Sequence, residues 1–322
     1  MIMKRFRNLM LGMFAISVLL VSCGETVDES MVLAEYMESA DSPIDVTSIN
    51  KLISAEALQQ KVVAGNPYII DIRGDEYTSI GHIEGAVQVA ATSVIAHLDA
   101  MDVTAYDDIV IVCYTGQTAA YVVSLANMAG YETVSLAYGM SSWNESTAGP
   151  WNSNAKNTYA TQLEETANPK GEEGAMPVLE TGFETGADIL DARIAEVNAA
   201  GFNDGKISAA DVWANPEDYY IVNYWPETNY NLGHIPGAIQ YTPNESMLTT
   251  ADLKTLPADK TIVVYCYTGQ GSAFLTPYLR VLGYDAKSLL FGINGMATDW
   301  AAANELTSWG AGKISDYPLV TD

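Results

Sequence analysis

Apolar residues fall in short runs separated by stretches with helical character, and the order of these runs occurs twice. Each half opens with a serine followed four residues later by an aliphatic residue, Ser54 with Leu58 and Ser208 with Val212, which predicts a capped helix start. Apolar runs at 68–72 and 219–222 predict strands, and shorter ones at 86–89 and 238–241 follow a glycine-bearing turn. The strongest runs, 109–112 and 261–265, each end at a cysteine. Helices predicted over 119–129 and 272–282 stop at Gly130 and Gly283, and last strands are predicted at 133–136 and 287–290. Short strands alternating with helices specify an α/β class with a largely parallel sheet in each half.

The two halves are copies. Ile109-Val-Ile-Val-Cys113-Tyr-Thr-Gly-Gln117 recurs as Ile262-Val-Val-Tyr-Cys266-Tyr-Thr-Gly-Gln270, and Gly81-His-Ile-Glu-Gly-Ala86 recurs as Gly233-His-Ile-Pro-Gly-Ala238. Ile53-Ser-Ala and Gly130-Tyr131 return as Ile207-Ser-Ala and Gly283-Tyr284 at nearly the same spacing. A constant offset over four separated motifs is the mark of a duplicated domain. Two copies are too few for a solenoid, so each is expected to have its own core. Residues 47–150 and 189–322 are read as the two domains. The acidic stretch 151–188, just after Gly149-Pro150 and with Asn168-Pro169, Gly171 and Gly174 within it, is read as the linker.

The amino terminus has a different grammar. Lys4, Arg5 and Arg7 precede an apolar run over 9–21, too short for a spanning helix and suited to an export signal. Leu20-Val21-Ser22-Cys23 resembles the bacterial lipobox. That resemblance implies a signal peptide over 1–22, lipidation of Cys23, and an exported protein held to a membrane by acyl chains. Gly24 after the cysteine points to the outer membrane by the same likeness. Residues 23–46 carry seven acidic side chains and no basic one, and are expected to be an acidic tether.

Charge narrows the partners. The 322 residues include 40 acidic and 15 basic side chains, for a formal net charge of −25. A polyphosphate partner needs a basic stripe, so nucleic acid is excluded as a ligand. Three cysteines are too few for a disulfide scaffold of this length.

The chemistry is expected at Cys113 and Cys266. A cysteine at the C-terminal end of a parallel strand lies where open α/β sheets bind ligands. The loops Tyr114-Thr115-Gly116-Gln117-Thr118 and Tyr267-Thr268-Gly269-Gln270-Gly271 can curl so that backbone N–H groups face the sulfur. That cradle and the following helix dipole are expected to lower the thiol pKa, and to bind an oxyanion.

Taken in order, Asp71-Ile-Arg73, Glu76-Tyr77, Gly81-His82-Ile83-Glu84-Gly85-Ala86 and the Cys113 loop resemble a rhodanese domain. The second copy repeats the likeness from Gly233-His234 through Cys266. The endings Gly139-Met-Ser-Ser-Trp143 and Gly295-Met-Ala-Thr-Asp-Trp300 resemble the family's last loop. The resemblance implies two tandem rhodanese-like domains, each a mostly parallel sheet flanked by helices. It implies sulfurtransferase chemistry in which Cys113, and secondarily Cys266, carries a persulfide between a small sulfur donor and a thiol acceptor. No metal or organic cofactor is implied, and His82 and His234 become structural turn residues. Asp71 and Arg73 would support the first pocket, with the arginine paired to an acid such as Glu76.

The chain departs from the family where active members end the loop with arginine. Thr118 and Gly271 stand there, and neither loop contains a cation. In the second copy Asn223-Tyr-Trp225 replaces the Asp-x-Arg pair. These departures leave two alternatives open. One is a non-catalytic docking subunit of a membrane-associated complex; the other is a binder of another chalcogen oxyanion such as selenite.

Overall fold

The computed structural model describes residues 27–65 and 67–321; the expected signal peptide and Cys23 lie outside them. Among the described residues, ten strands form two five-stranded sheets. The first contains β1 (Leu52–Ile53), β2 (Pro67–Asp71), β3 (Val87–Gln88), β4 (Asp108–Val112) and β5 (Thr133–Leu136) in the order β1-β5-β4-β2-β3. The second contains β6 (Lys206–Ile207), β7 (Tyr220–Asn223), β8 (Ile239–Gln240), β9 (Ile262–Tyr265) and β10 (Ala286–Leu289) in the order β6-β10-β9-β7-β8. Every pairing is parallel. The two short strands β1 and β6 follow no apolar run of their own. They exist because each supplies an edge partner to the last strand of its sheet.

Four helices matter for the site: α1 (Glu29–Met37), α2 (Gln117–Met128), α3 (Gly186–Asp204) and α4 (Gln270–Val281). The expected serine caps are present: Ser54 accepts from the Ala57 N–H and Ser208 from the Asp211 N–H. Alternation along β4 sends Ile109, Ile111 and Cys113 to one face of the sheet and Val110 and Val112 to the other. The faces join different cores. The outer face of each copy has its own cluster, whereas the inner faces of both copies merge with α1, α2, α3 and α4 into a single shared core. The expectation of one core per copy therefore holds only for the outer layers. At the centre, α2 packs on α4, and Ser124 Oγ donates to the Phe274 carbonyl at 2.8 Å.

The segment 23–46 is not a free tether over its described part. Leu33, Ala34 and Met37 of α1 are buried in the shared core, and α1 packs on α3. Its acidic residues work as anchors. Glu29 accepts from the Thr181 hydroxyl (2.6 Å) and from the N–H groups of Thr181 (2.7 Å) and Gly182 (2.9 Å). Glu38 holds the Thr249 N–H and hydroxyl at 2.6 and 2.7 Å.

The linker and the C-terminal tail also depart from the expected boundaries, and they do so reciprocally. Trp151, at the expected start of the linker, is fully buried between the copies. The chain that follows the first copy crosses to the second: Tyr159 stacks on Trp213, and Glu164 pairs with His234 in an antiparallel bridge. The chain that follows the second copy crosses to the first: Tyr317 N–H donates to the Trp143 carbonyl, and Val320 forms the matching bridge with His82. Each copy thus wears the other's trailing segment. No helix of the described residues is long and apolar enough to cross a membrane.

Hydrogen bonds from Thr181 and Gly182 overcome the burial penalty and hold the Glu29 carboxyl below its ordinary value. A depressed carboxylate stabilises the fold above the unfolded pKa and loses that contribution as pH falls through the folded one. Glu29→Gln is expected to cost about 2 kcal/mol at pH 7, the scale of a charged hydrogen-bond set. The difference from the parent should shrink below about pH 4 in chemical denaturation.

Candidate active site

The cysteines stand at the C-terminal tips of the central strands β4 and β9. Gly116 and Gly269, in the left-handed region (φ 80° and 76°), cap α2 and α4 and turn each loop back over its cysteine. Cys113 Sγ accepts from the N–H groups of Gly116 (3.2 Å) and Ala119 (3.3 Å). Cys266 Sγ accepts from the Ser272 N–H (3.3 Å), and its own S–H faces the Ser272 hydroxyl at 3.8 Å. Ala119 holds the equivalent position in the first copy and offers no such acceptor. Both cysteines are free thiols.

The cradle forms as the sequence suggests, yet its effect on Cys113 differs from expectation. The side chain is 4% exposed, and burial pushes its pKa up. Backbone N–H groups of the loop pull the other way and recover only part of the shift. Asp71 beneath the loop adds a further upward push. Burial thus favours the Cys113 thiol over the thiolate, and contact with solvent or substrate would relieve that penalty.

Two residues brace each loop from behind. Met140 N–H donates to the Cys113 carbonyl and Ser141 N–H to the Tyr114 carbonyl; Ile293 and Asn294 do the same for Cys266 and Tyr267. This close approach is allowed by Gly139 and Gly292. A Cβ at Gly139 would lie 2.4 Å from the Cys113 carbonyl oxygen, and one at Gly292 2.1 Å from that of Cys266. The last-loop match is thus Gly139 with Gly292, one turn earlier than the Gly295-Met296 likeness implies. The repeat spacing of 153, which relates both cysteines, was the signal that finds it.

The tyrosine after each cysteine is propped by the position two residues past the end of β2 or β7. In the first copy the Arg73 guanidinium lies 5.7 Å from the Tyr114 ring centroid. In the second, Trp225 stacks on Tyr267 at 4.9 Å and 7°. Arg73 is no free cation. It is fully buried against Asp71 (Nη2 to Oδ2, 2.6 Å) and donates to the Gly81 carbonyl, so its acid partner is Asp71 and not Glu76. The pair is formally neutral, and its carboxylate is the member whose charge is felt at the cysteine. Asn223 and Trp225 replace it with neutral side chains, Asn223 donating to the Tyr265 hydroxyl at 2.7 Å.

His82 and His234 stack on Tyr77 and Tyr230 and hydrogen-bond backbone carbonyls, which fixes the turns after the short helices Glu76–Ser79 and Glu227–Tyr230. Gln117 and Gln270 do not face the sulfurs. Each is buried against the opposite copy, with a Cβ position at Gly116 2.9 Å from Gln270 Cδ and one at Gly269 2.4 Å from Gln117 Oε1. Thr115 holds its place through two contacts: its carbonyl accepts from the Trp151 indole and its hydroxyl from Gln117. Thr118 and Gly271 occupy the loop ends without charge, and a Cβ at Gly271 would be 3.4 Å from Cys266 Sγ. Thr268 is buried beside the Gln270 N–H. No group of described His, Cys, Asp and Glu side chains is placed to hold a metal ion.

Comparison with known proteins accounts for the doubled architecture. The rhodanese-like domain family matches residues 54–146 and 178–302. The chain belongs to that family. Its sequence is 30% identical over 94 residues to the sulfurtransferase candidate YtwF of Bacillus subtilis (strain 168), covering 29% of this chain and 89% of YtwF. A rhodanese-like domain protein of Staphylococcus aureus is 28% identical, over 28% of this chain and 87% of that one, with a TM-score of 0.25. SseA of Escherichia coli, described as a 3-mercaptopyruvate sulfotransferase, is 17% identical, over 75% of this chain and 97% of that one, with a TM-score of 0.26.

Two outcomes follow. Alkylation of Cys113 by iodoacetamide in the folded protein should lag behind an unfolded control at pH 7 and climb past pH 9 without a plateau, read by peptide mass. Gly139→Ala should cost at least about 3 kcal/mol in chemical denaturation, because its Cβ has no room and its φ of 61° disfavours side chains.

Proposed function

We propose that this rhodanese-like protein is a sulfurtransferase that carries sulfane sulfur on Cys113, with Cys266 as a second carrier. The observation that carries the reading is the N–H cradle on each sulfur, set at the tip of the central strand of each copy. The Cys113 thiolate attacks the outer sulfur of a donor. A bond forms between the two sulfurs, the bond from the transferred sulfur to its former carrier breaks, and the electron pair leaves with that carrier. The proton of the thiol goes to solvent or to the departing carrier. An acceptor thiolate then attacks the outer sulfur of the persulfide, and Cys113 leaves as thiolate. The Gly116 and Ala119 N–H groups lie on the Cys113 sulfur and stabilise the thiolate that attacks the donor and later leaves, without a charged side chain.

The uncharged loops favour donors of low charge over dianionic thiosulfate, since Arg73 is neutralised by Asp71. The lipobox-like segment before Cys23 supports an exported, lipid-anchored protein, directed to the outer membrane. A docking subunit without chemistry is the second reading, favoured by the absence of a loop arginine at Thr118 and Gly271.

Incubation with 3-mercaptopyruvate, a polysulfide or thiosulfate is expected to add one sulfur, about 32 Da, to the protein by intact mass. The adduct should vanish with cyanide; Cys113→Ala should remove most of it and Cys266→Ala only a minor part. With reduced thiols, absence of any adduct from all three donors would leave the docking reading.

A further inference from the structure

We propose that the two thiols are positioned crosswise: Gln270 of the second cysteine loop positions Cys113, and Gln117 of the first positions Cys266. The proposal deepens the sulfur-transfer reading and rests on it for the purpose of the thiols, but its geometry is independent of any donor. Gln270 Oε1 accepts the Tyr138 N–H at 2.7 Å, and Gln117 Oε1 accepts the Phe291 N–H at 2.7 Å. Tyr138 and Phe291 are matched residues of the two copies, and both are forced into the left-handed region (φ 61° and 62°), which side chains avoid. The glutamine acceptor from the other copy is what secures that conformation.

From there the chain of contacts runs to the sulfur. Tyr138 precedes Gly139, whose lack of a side chain lets Met140 and Ser141 reach the Cys113 and Tyr114 carbonyls. Phe291 precedes Gly292, and Ile293 and Asn294 reach Cys266 and Tyr267 in the same way. Gln270 therefore acts on Cys113 through the last loop of the first copy, although it sits four residues from Cys266 in sequence. Both glutamines are almost completely buried, at 2% and 1% exposure, so solvent cannot substitute for the lost acceptor. Tyr138 and Phe291 also share the aromatic cluster around Trp151, which closes the same seam. The arrangement makes the two sites one composite unit in which a change in either cysteine loop reaches the opposite thiol.

The test is peptide-resolved alkylation of the full-length protein, which needs no sulfur donor and so fails or succeeds apart from the transfer reading. Gln270→Met keeps the length of the side chain and removes the acceptor. It is expected to raise the alkylation rate of Cys113 by about fivefold, the scale of one buried hydrogen bond, and that of Cys266 by less than about twofold. Gln117→Met should raise Cys266 most, with a smaller rise at Cys113 because Gln117 also donates to the Thr115 hydroxyl. Gln270→Glu retains an acceptor oxygen and should return Cys113 to within about twofold of the parent. Equal changes at both thiols, or a larger change at the thiol of the mutated loop, would overturn the proposal. If one methionine variant loses its cooperative melt, the other and the glutamate variant still decide it.

Discussion

The packing of α2 on α4 is the constraint from which the rest of the structure follows. Each helix begins at a cysteine loop and runs back along its own sheet, so bringing the two together also brings the two loops together. The pair shares one core, and that core is apolar on both sides: Val123 and Ala126 from one helix, Phe274 and Leu275 from the other. Burial at this seam couples the copies more tightly than a linker could. It also explains why the segments around them, α1 and α3, are drawn in to cover the edges of the same layer.

Burial and reactivity oppose each other at the site. The strand that delivers Cys113 must be apolar to pack between two layers, and the same packing keeps the sulfur dry and favours the thiol over the thiolate. Backbone N–H groups offset part of this without adding charge. The second copy balances the terms differently. It replaces the buried Asp71–Arg73 pair with Asn223 and Trp225 and gives the thiol a serine hydroxyl neighbour. Two copies with the same loop are therefore two chemical environments.

Much of this was legible in the sequence. The strands, the helices after each cysteine and the duplication follow from apolar runs and a fixed offset, because buried parallel strands and glycine stops leave local marks. The sulfur cradle was readable from Gly116 and Gly269 for the same reason. What was not legible depends on contacts between distant parts of the chain. Glu29 looks like one more solvated acid until Thr181 and Gly182 close on it. Gln117 and Gln270 look like ligand donors until the other copy occupies the space they point into. The direction of the Cys113 shift required knowing how completely the loop closes, which composition does not encode.

The exchanged trailing segments bear on how the molecule is made. The indole of Trp143 donates to the Pro318 carbonyl, 175 positions downstream, and the turn at His82 is bridged by Val320. During synthesis at roughly 5–20 residues per second, the first copy waits on the order of ten seconds or more for these partners. Until then its last loop and its histidine turn stand uncovered on the nascent chain. The second copy has no such wait, because the segment that covers it, around Glu164, has already been made when its own strands emerge. The copy translated first is thus the one completed last.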